Sequence, residues 1–255
     1  MTSTMKVQRR AVAPAPEEWN LRVALAGCYR LFDHLGWTEM IYNHITVRVP
    51  GPEHHFLINP FGLHYSEVTA SNLVKIGLDG RIIGPSDYPV NPAGFVIHSA
   101  IHAAVPEARC IMHTHTTAGM AIASSQRGLA PTNFYSASMV GAVAYHDFEG
   151  LTVRDDEKPR LVASLGNKRA LILRNHGLLT HGPTIADAFN VLYRLQRACE
   201  VQIATSAIDE GIRISDEICA DSYRLSFASP ESPTAKMLYD AMMRLIDKKD
   251  PSYKN

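Results

Sequence analysis

Two histidines one residue apart, His113 and His115 in Cys110-Ile-Met-His-Thr-His-Thr-Thr-Ala-Gly119, end one apolar run, and a third, His176 in Leu173-Arg-Asn-His-Gly-Leu178, follows another. Side chains at i and i+2 of a strand leave from the same face, so the first two imidazoles can reach one ion without strain. His176 follows a second apolar strand, Ala170-Leu-Ile-Leu173, so the three ligands fall where two neighbouring strands could converge. Three nitrogen ligands leave positions on a divalent metal for water or substrate, the arrangement of a catalytic rather than a structural site. Any one of the twelve histidines, taken alone, needs no role beyond a hydrogen bond. The joint spacing is what points to metal.

Composition narrows the function classes. Twenty-five basic residues against twenty-five acidic ones leave no net charge, so neither nucleic acid nor an anionic membrane is expected as a partner. No apolar run approaches the length that spans a bilayer, and Met1-Thr-Ser-Thr-Met-Lys-Val-Gln-Arg-Arg10 lacks the apolar core of a signal peptide, so a cytoplasmic protein is expected. Cys28, Cys110, Cys199 and Cys219 are far apart with no Cys-x-x-Cys spacing, and they read as buried apolar thiols rather than a zinc knuckle or a disulfide framework.

The chain alternates helical and strand patterns. Residues 1–16, with Ala11-Val-Ala-Pro-Ala-Pro16, read as a flexible lead, and residues 17–255 as one domain with a C-terminal helical extension. Apolar residues at Leu21, Leu25, Cys28, Leu31 and Phe32 predict a helix from Glu18 to Leu35, stopped by Gly36. Ile45, Val47 and Val49 alternate with polar residues, and Phe56-Leu-Ile58 follows a Pro-Gly-Pro turn, so a strand pair is expected. Ser66 to Ile76 predicts a short helix leading into Lys75-Ile-Gly-Leu78, with Asp79-Gly80 as a hairpin turn.

A helix lined by Phe95, His98, Ile101 and Val105 and ended by Pro106 leads into the His-x-His strand. A second helix follows His115 as far as Ser125, and Gly141 to Tyr145 reads as a strand. Asp155 to Leu165 is expected to be helical, Arg169 to Leu173 and Leu178 to His181 to pair around His176-Gly177, Thr184 to cap a helix reaching about Asp209, and Pro233 to Lys248 to form the last helix. Short strands interspersed with helices predict a three-layer α/β/α sandwich with a largely antiparallel or mixed central sheet. A doubly wound nucleotide fold is disfavoured, since neither a Gly-x-Gly-x-x-Gly nor a phosphate loop is present.

With His-x-His, Asn-His-Gly and the upstream Tyr42-Asn-His-Ile-Thr-Val-Arg48 in hand, the chain resembles the class II aldolase/adducin family from about Glu18 to Gly211. Phe95-Val-Ile-His-Ser-Ala-Ile-His102, Val143-Ala-Tyr-His-Asp147 and Ile172-Leu-Arg-Asn-His-Gly-Leu178 look most like the adducin head domain and its bacterial relatives. The resemblance implies an α/β/α sandwich, a cyclic homotetramer, and active sites between neighbouring subunits. It also implies one divalent metal per subunit on His113, His115 and His176, zinc foremost, with manganese, iron or cobalt as alternatives. Asn43 matches an asparagine that helps hold the substrate in the family's aldolases, and Gly62 is grouped with it as a substrate-binding position.

Two departures from the aldolase pattern stand out. The family's sugar-phosphate aldolases carry a catalytic glutamate nineteen residues before the first metal histidine, usually after two phosphate-binding serines. This chain has Pro92-Ala93-Gly94 there. His98 and His102, one helical turn apart, are candidates for the proton transfer that Gly94 cannot perform, or else pack that helix. Tyr135 aligns with a family tyrosine that donates a proton across the subunit boundary, or is an interface aromatic. Tyr145-His146-Asp147 is expected to be structural because neighbours on a strand face opposite sides. A serine hydrolase is disfavoured by the absence of Gly-x-Ser-x-Gly.

The expected function is therefore a metal-dependent lyase, acting by retro-aldol cleavage or decarboxylation on a non-phosphorylated hydroxy- or keto-acid. The alternatives from other classes are a non-catalytic adducin-like protein that binds actin-type cytoskeletal partners, and an iron-dependent oxygenase on the same scaffold.

Overall fold

Pro16 opens the first helix, α1 (Pro16–Leu35), because the N–H it lacks is one that a helix start leaves unpaired anyway, and Gly36 closes it in the left-handed region at φ 69°. The computed structural model describes residues 14–151 and 154–255. The expected lead lies largely outside them, and its last residue, Pro16, is already helical.

Seven strands form one sheet: β1 (His44–Arg48), β2 (Phe56–Ile58), β3 (Val74–Ile76), β4 (Cys110–Thr114), β5 (Val143–His146), β6 (Ala170–Leu173) and β7 (Gly177–Gly182). Their order across the sheet is β3-β2-β1-β4-β7-β6-β5. Every neighbouring pair is antiparallel except β5 with β6, which are parallel. The fold is thus a mixed α/β architecture, as expected.

Strand periodicity sorts the core into two layers. Cys110, Met112, Ala170, Ile172 and Leu178 face a cluster built with α1, α6 (Ile185–Ser206) and α8 (Pro233–Lys249). Ile111, Leu171, Leu173 and Leu179 face the other way, onto α2 (Pro92–Ala104) and α5 (Lys158–Leu165). Ile45 and Val47 of β1 belong to the first layer, which puts His44 and Thr46 on the α2 side with Ile111 and His113. Near the middle of the sheet the α2 layer therefore turns from aliphatic to imidazole. Among the described residues no helix is long and apolar enough to cross a membrane.

Three expectations need correction. Ser66 to Ile76 holds only a single 3-10 turn at Tyr65–Glu67 before β3. Its backbone groups are taken by side chains instead of by a helical ladder: Asn72 accepts from the Thr69 N–H and donates to the Glu67 carbonyl, each at 2.9 Å, and Arg22 donates to the carbonyls of Ala70 and Leu73. Strand β4 stops at Thr114, so His115 lies just beyond it. Finally, two helices were not expected, α4 (Phe134–Met139), capped by Asn133, and α7 (Asp216–Ser226), capped by Ser215 and packed on α4. The remaining helix, α3 (Thr117–Ala123), follows His115 as expected.

Candidate metal centre

The pairing of β4 with β7 builds the site. Register sets His113 opposite Leu179 and Thr114 opposite Leu178, and His113 Nδ1 lies 2.9 Å from the Leu178 carbonyl. A carbonyl only accepts, so Nδ1 carries the proton and Nε2 keeps its lone pair. That Nε2 sits 2.7 Å from Nε2 of His115. Two imidazole nitrogens this close share either a proton or a cation.

His115 is set by the turn into α3, where the Thr116 hydroxyl caps the Gly119 N–H and donates to Gln196 at 2.6 Å. His176 comes from the β6–β7 turn, where Asn175 takes a left-handed φ of 55° and the His176 N–H returns to the Leu173 carbonyl at 3.0 Å. Gly177 lets the turn approach β4: an added Cβ there would lie 2.4 Å from the Thr114 carbonyl oxygen and 3.1 Å from His115 Cδ2. The three rings then stand 4.5 to 4.9 Å apart, and one nitrogen of each lies within 4.8 Å of the others. The donor set suits a divalent ion: three imidazoles, one of them oriented by a backbone carbonyl.

Burial holds all three neutral. It pushes His113 well below the usual histidine range, with His176 and His115 adding to the effect, lowers His115, and brings His176 to about 4. Neutral imidazoles keep the lone pairs that a metal requires. A cavity of about 330 Å³ opens beside His115, lined among others by Trp37, Glu39, Thr117, Gln196 and Glu200.

The other candidate residues are placed unevenly. His98 and His102 are buried on α2 and share one hydroxyl, with Thr46 Oγ1 2.7 Å from His98 Nδ1 and 2.7 Å from His102 Nε2. His102 Nδ1 also meets the Ala108 carbonyl at 2.7 Å, which fixes the direction of the chain. His98 donates to Thr46, Thr46 donates to His102, and His102 donates to Ala108. Both nitrogens of His102 are thereby occupied, its ring stacks on Phe56 at 4.3 Å, and it does not reach the triad. His98 keeps a buried Nε2 without a partner among the described residues.

Asn43 is buried beside the start of β1, with its amide donating to the Trp37 carbonyl at 3.3 Å and its Oδ1 without a partner. Gly62 lies in the turn after β2 at φ 109°. Tyr135 is on α4, with the Arg197 guanidinium 6.0 Å from its ring centre. His146 binds Ser164 and Glu157 at 2.9 and 3.3 Å while Asp147 pairs with Arg174, in keeping with a structural role for that run.

Sequence reasoning does not single out one residue of this neighbourhood, His44, which stands inside the motif Tyr42-Asn-His-Ile-Thr-Val-Arg48. Its ring lies 5.2 Å from that of His113 and 4.3 Å from that of His98. The available signal was the alternation of β1: with Ile45 and Val47 in the core, His44 must face the other side.

The buried imidazoles make an acid dependence. Burial brings His102 to about 3, against an ordinary histidine value of 6.5. The unfolded chain therefore binds a proton between these limits that the folded chain refuses. Stability is full above pH 6.5 and falls as pH drops through that window, by about 1.4 kcal/mol per unit for each such histidine. In urea unfolding from pH 7 to pH 4, His102→Phe should show a shallower loss of unfolding free energy than the unaltered protein. An identical slope would mean that His102 is not held neutral.

A family model described as Class II Aldolase and Adducin N-terminal domain matches residues 23–203. The chain is 44% identical over 241 residues to a Pseudomonas aeruginosa protein named for class 2 aldolases, covering 93% of each. It is 43% identical over 242 residues to alpha-adducin of Rattus norvegicus, covering 89% of this chain and 33% of that one. Among solved structures, an aldolase II superfamily protein from Pseudomonas syringae matches with a TM-score of 0.90 at 42% identity, over 95% of this chain and 98% of that one. The L-fuculose 1-phosphate aldolase of Glaciozyma antarctica matches with a TM-score of 0.83 at 31% identity, over 96% and 97%. Three histidines converging at the ends of the central strands, and a likeness that runs nearly end to end, have one explanation: the chain belongs to the class II aldolase and adducin family.

Proposed function

We propose that this protein is a metal-dependent carbon–carbon lyase acting on a small non-phosphorylated hydroxy- or keto-acid by aldol cleavage or decarboxylation. The observation that carries the reading is the convergence of three neutral imidazoles beside a cavity. His113, His115 and His176 would hold the ion, with zinc the first choice because three imidazoles suit it. A bound divalent ion supplies Lewis acidity, which stabilises charge developing on a substrate oxygen.

The chain's own residues do the rest. Asn43 offers a buried carbonyl oxygen without a partner for a substrate hydroxyl, in keeping with a substrate-binding role; Gly62 is assigned beside it on family resemblance. Of the two α2 histidines, His98 is the candidate for moving a proton, because its Nε2 is uncommitted, whereas His102 positions it through Thr46. Tyr135 is assigned as a proton donor to a neighbouring subunit's pocket in a homotetramer, since within its own chain it packs toward Arg197.

The metal assignment is tested by elemental analysis. About one divalent ion per chain is expected, and His176→Ala should lose most of it while keeping its circular dichroism spectrum. Full retention would reject the triad.

Substrate class is tested by comparing turnover of L-fuculose 1-phosphate, the compound named for the Glaciozyma antarctica relative, with a panel of hydroxy- and keto-acids. The sugar phosphate should be the poor substrate, because Gly94 offers no acid or base and Pro92 no hydroxyl to a phosphate. Brisk turnover would show that the site handles phosphates by other residues. With the best acid of the panel, His98→Ala should lower kcat about 100-fold or more at unchanged metal content.

Assembly is tested by complementation. His113→Ala and Tyr135→Phe proteins, each inactive, should regain part of their turnover when dissociated and reassembled together, because some pockets then receive both intact halves. Mixed oligomers without recovery would place the whole site within one subunit.

A further inference from the structure

A fourth imidazole borders the triad without a task. His44 opens β1 opposite His113 in the sheet register, and the residue is 3% exposed. Its Nδ1 faces the Tyr42 carbonyl at 3.4 Å, so the proton belongs on Nδ1 and Nε2 is left with a bare lone pair. That lone pair is buried and meets no donor among the described residues. A buried acceptor without a donor is a standing cost, and natural structures keep few of them without a reason.

The neighbouring helix is built around this ring. A Cβ added at Gly94 would lie 2.8 Å from Cγ of His44 and 2.9 Å from both Cδ2 and Cε1. The ring cannot step aside easily, because His98 and His113 flank it at 4.3 and 5.2 Å. Position 94, where a side chain is missing, is thus the room that His44 occupies. His44 also shares its surroundings with the triad: burial first, and then the nearby His115 and His176, bring it down to about 3. Yet its nitrogens are not within the 4.8 Å group formed by the three ligands, which argues against a fourth ligand.

We propose that His44 Nε2 accepts a hydrogen bond from the hydroxyl or water oxygen held at the metal of the triad, and that Gly94 is glycine because it admits this ring. The role rests on the metal-dependent reading given above.

The test uses the full chain loaded with cobalt(II), whose visible spectrum reports its surroundings. The unaltered protein, His44→Ala, His44→Gln and His113→Ala are compared for cobalt content, for spectrum, and for titration with glycolate, a hydroxy-acid able to chelate through hydroxyl and carboxylate. His44→Ala should keep about one cobalt per chain, show a shifted spectrum, and need about tenfold more glycolate for half-saturation. His44→Gln, whose amide oxygen accepts the same bond, should recover part of that loss.

A His44→Ala protein with the spectrum and glycolate titration of the unaltered chain would overturn the proposal. So would a loss of cobalt as complete as in His113→Ala, which would make His44 a ligand. If glycolate leaves the unaltered spectrum unchanged, the hydroxy-acid reading fails, while the glycolate-free spectra still decide the role of His44. Failure of the unaltered chain to take up cobalt would overturn this role together with the metal reading.

Discussion

The antiparallel pairing of β4 with β7 is the constraint from which the site is built. It supplies the Leu178 carbonyl that orients His113, and it carries the β6–β7 turn, with His176, against the end of β4. The pairing is central in the sheet, with β1 on its other side. A slip of one residue would exchange Ile111 and His113 for Cys110 and Met112 on the α2 face, putting imidazole into the aliphatic layer. The core that fixes the register and the site that needs it are therefore the same strands.

Much of this was legible because it is periodic. Two-residue alternation identifies β1 and apolar runs identify the central strands, helical spacing identifies α1 and α2, a cap identifies the start of α6, and the spacing of the three histidines points to the cluster. What was not legible depends on contacts between segments far apart in sequence. The expected helix after Ser66 gave way because Arg22, from α1, binds its carbonyls. The separate fates of His98 and His102 follow from the Thr46 hydroxyl on β1 together with the Ala108 carbonyl, which meets His102. His44 was in plain view in its motif, but only the pairing of β1 with β4 shows that it stands beside His113.

The two layers of the core contribute differently. The face toward α1, α6 and α8 is apolar, including Leu25, Phe32, Leu192 and Leu195, all fully buried, and supplies much of the hydrophobic stabilisation. The face toward α2 spends part of its area on imidazoles, several of them with a nitrogen that no group among the described residues satisfies. Such groups destabilise unless a ligand meets them. The division lets one layer carry the fold while the other holds a polar, partly unsatisfied site rigid enough to keep its geometry.

The four cysteines, all buried, lead somewhere else. Burial pushes the thiols of Cys28 and Cys199 up to about 12 and raises that of Cys110 well above the ordinary thiol range. In strand β4 the Cys110 side chain leaves from the face opposite His113, so the sheet separates the soft sulfur from the imidazoles. Thiolates are the reactive form, so these positions stay silent toward alkylating reagents while the molecule is closed. Each then becomes a timed reporter of opening: the rate at which a thiol reagent labels Cys110 measures how often the central strand is exposed, and labelling at Cys28 or Cys199 measures the same for the helices that cover it.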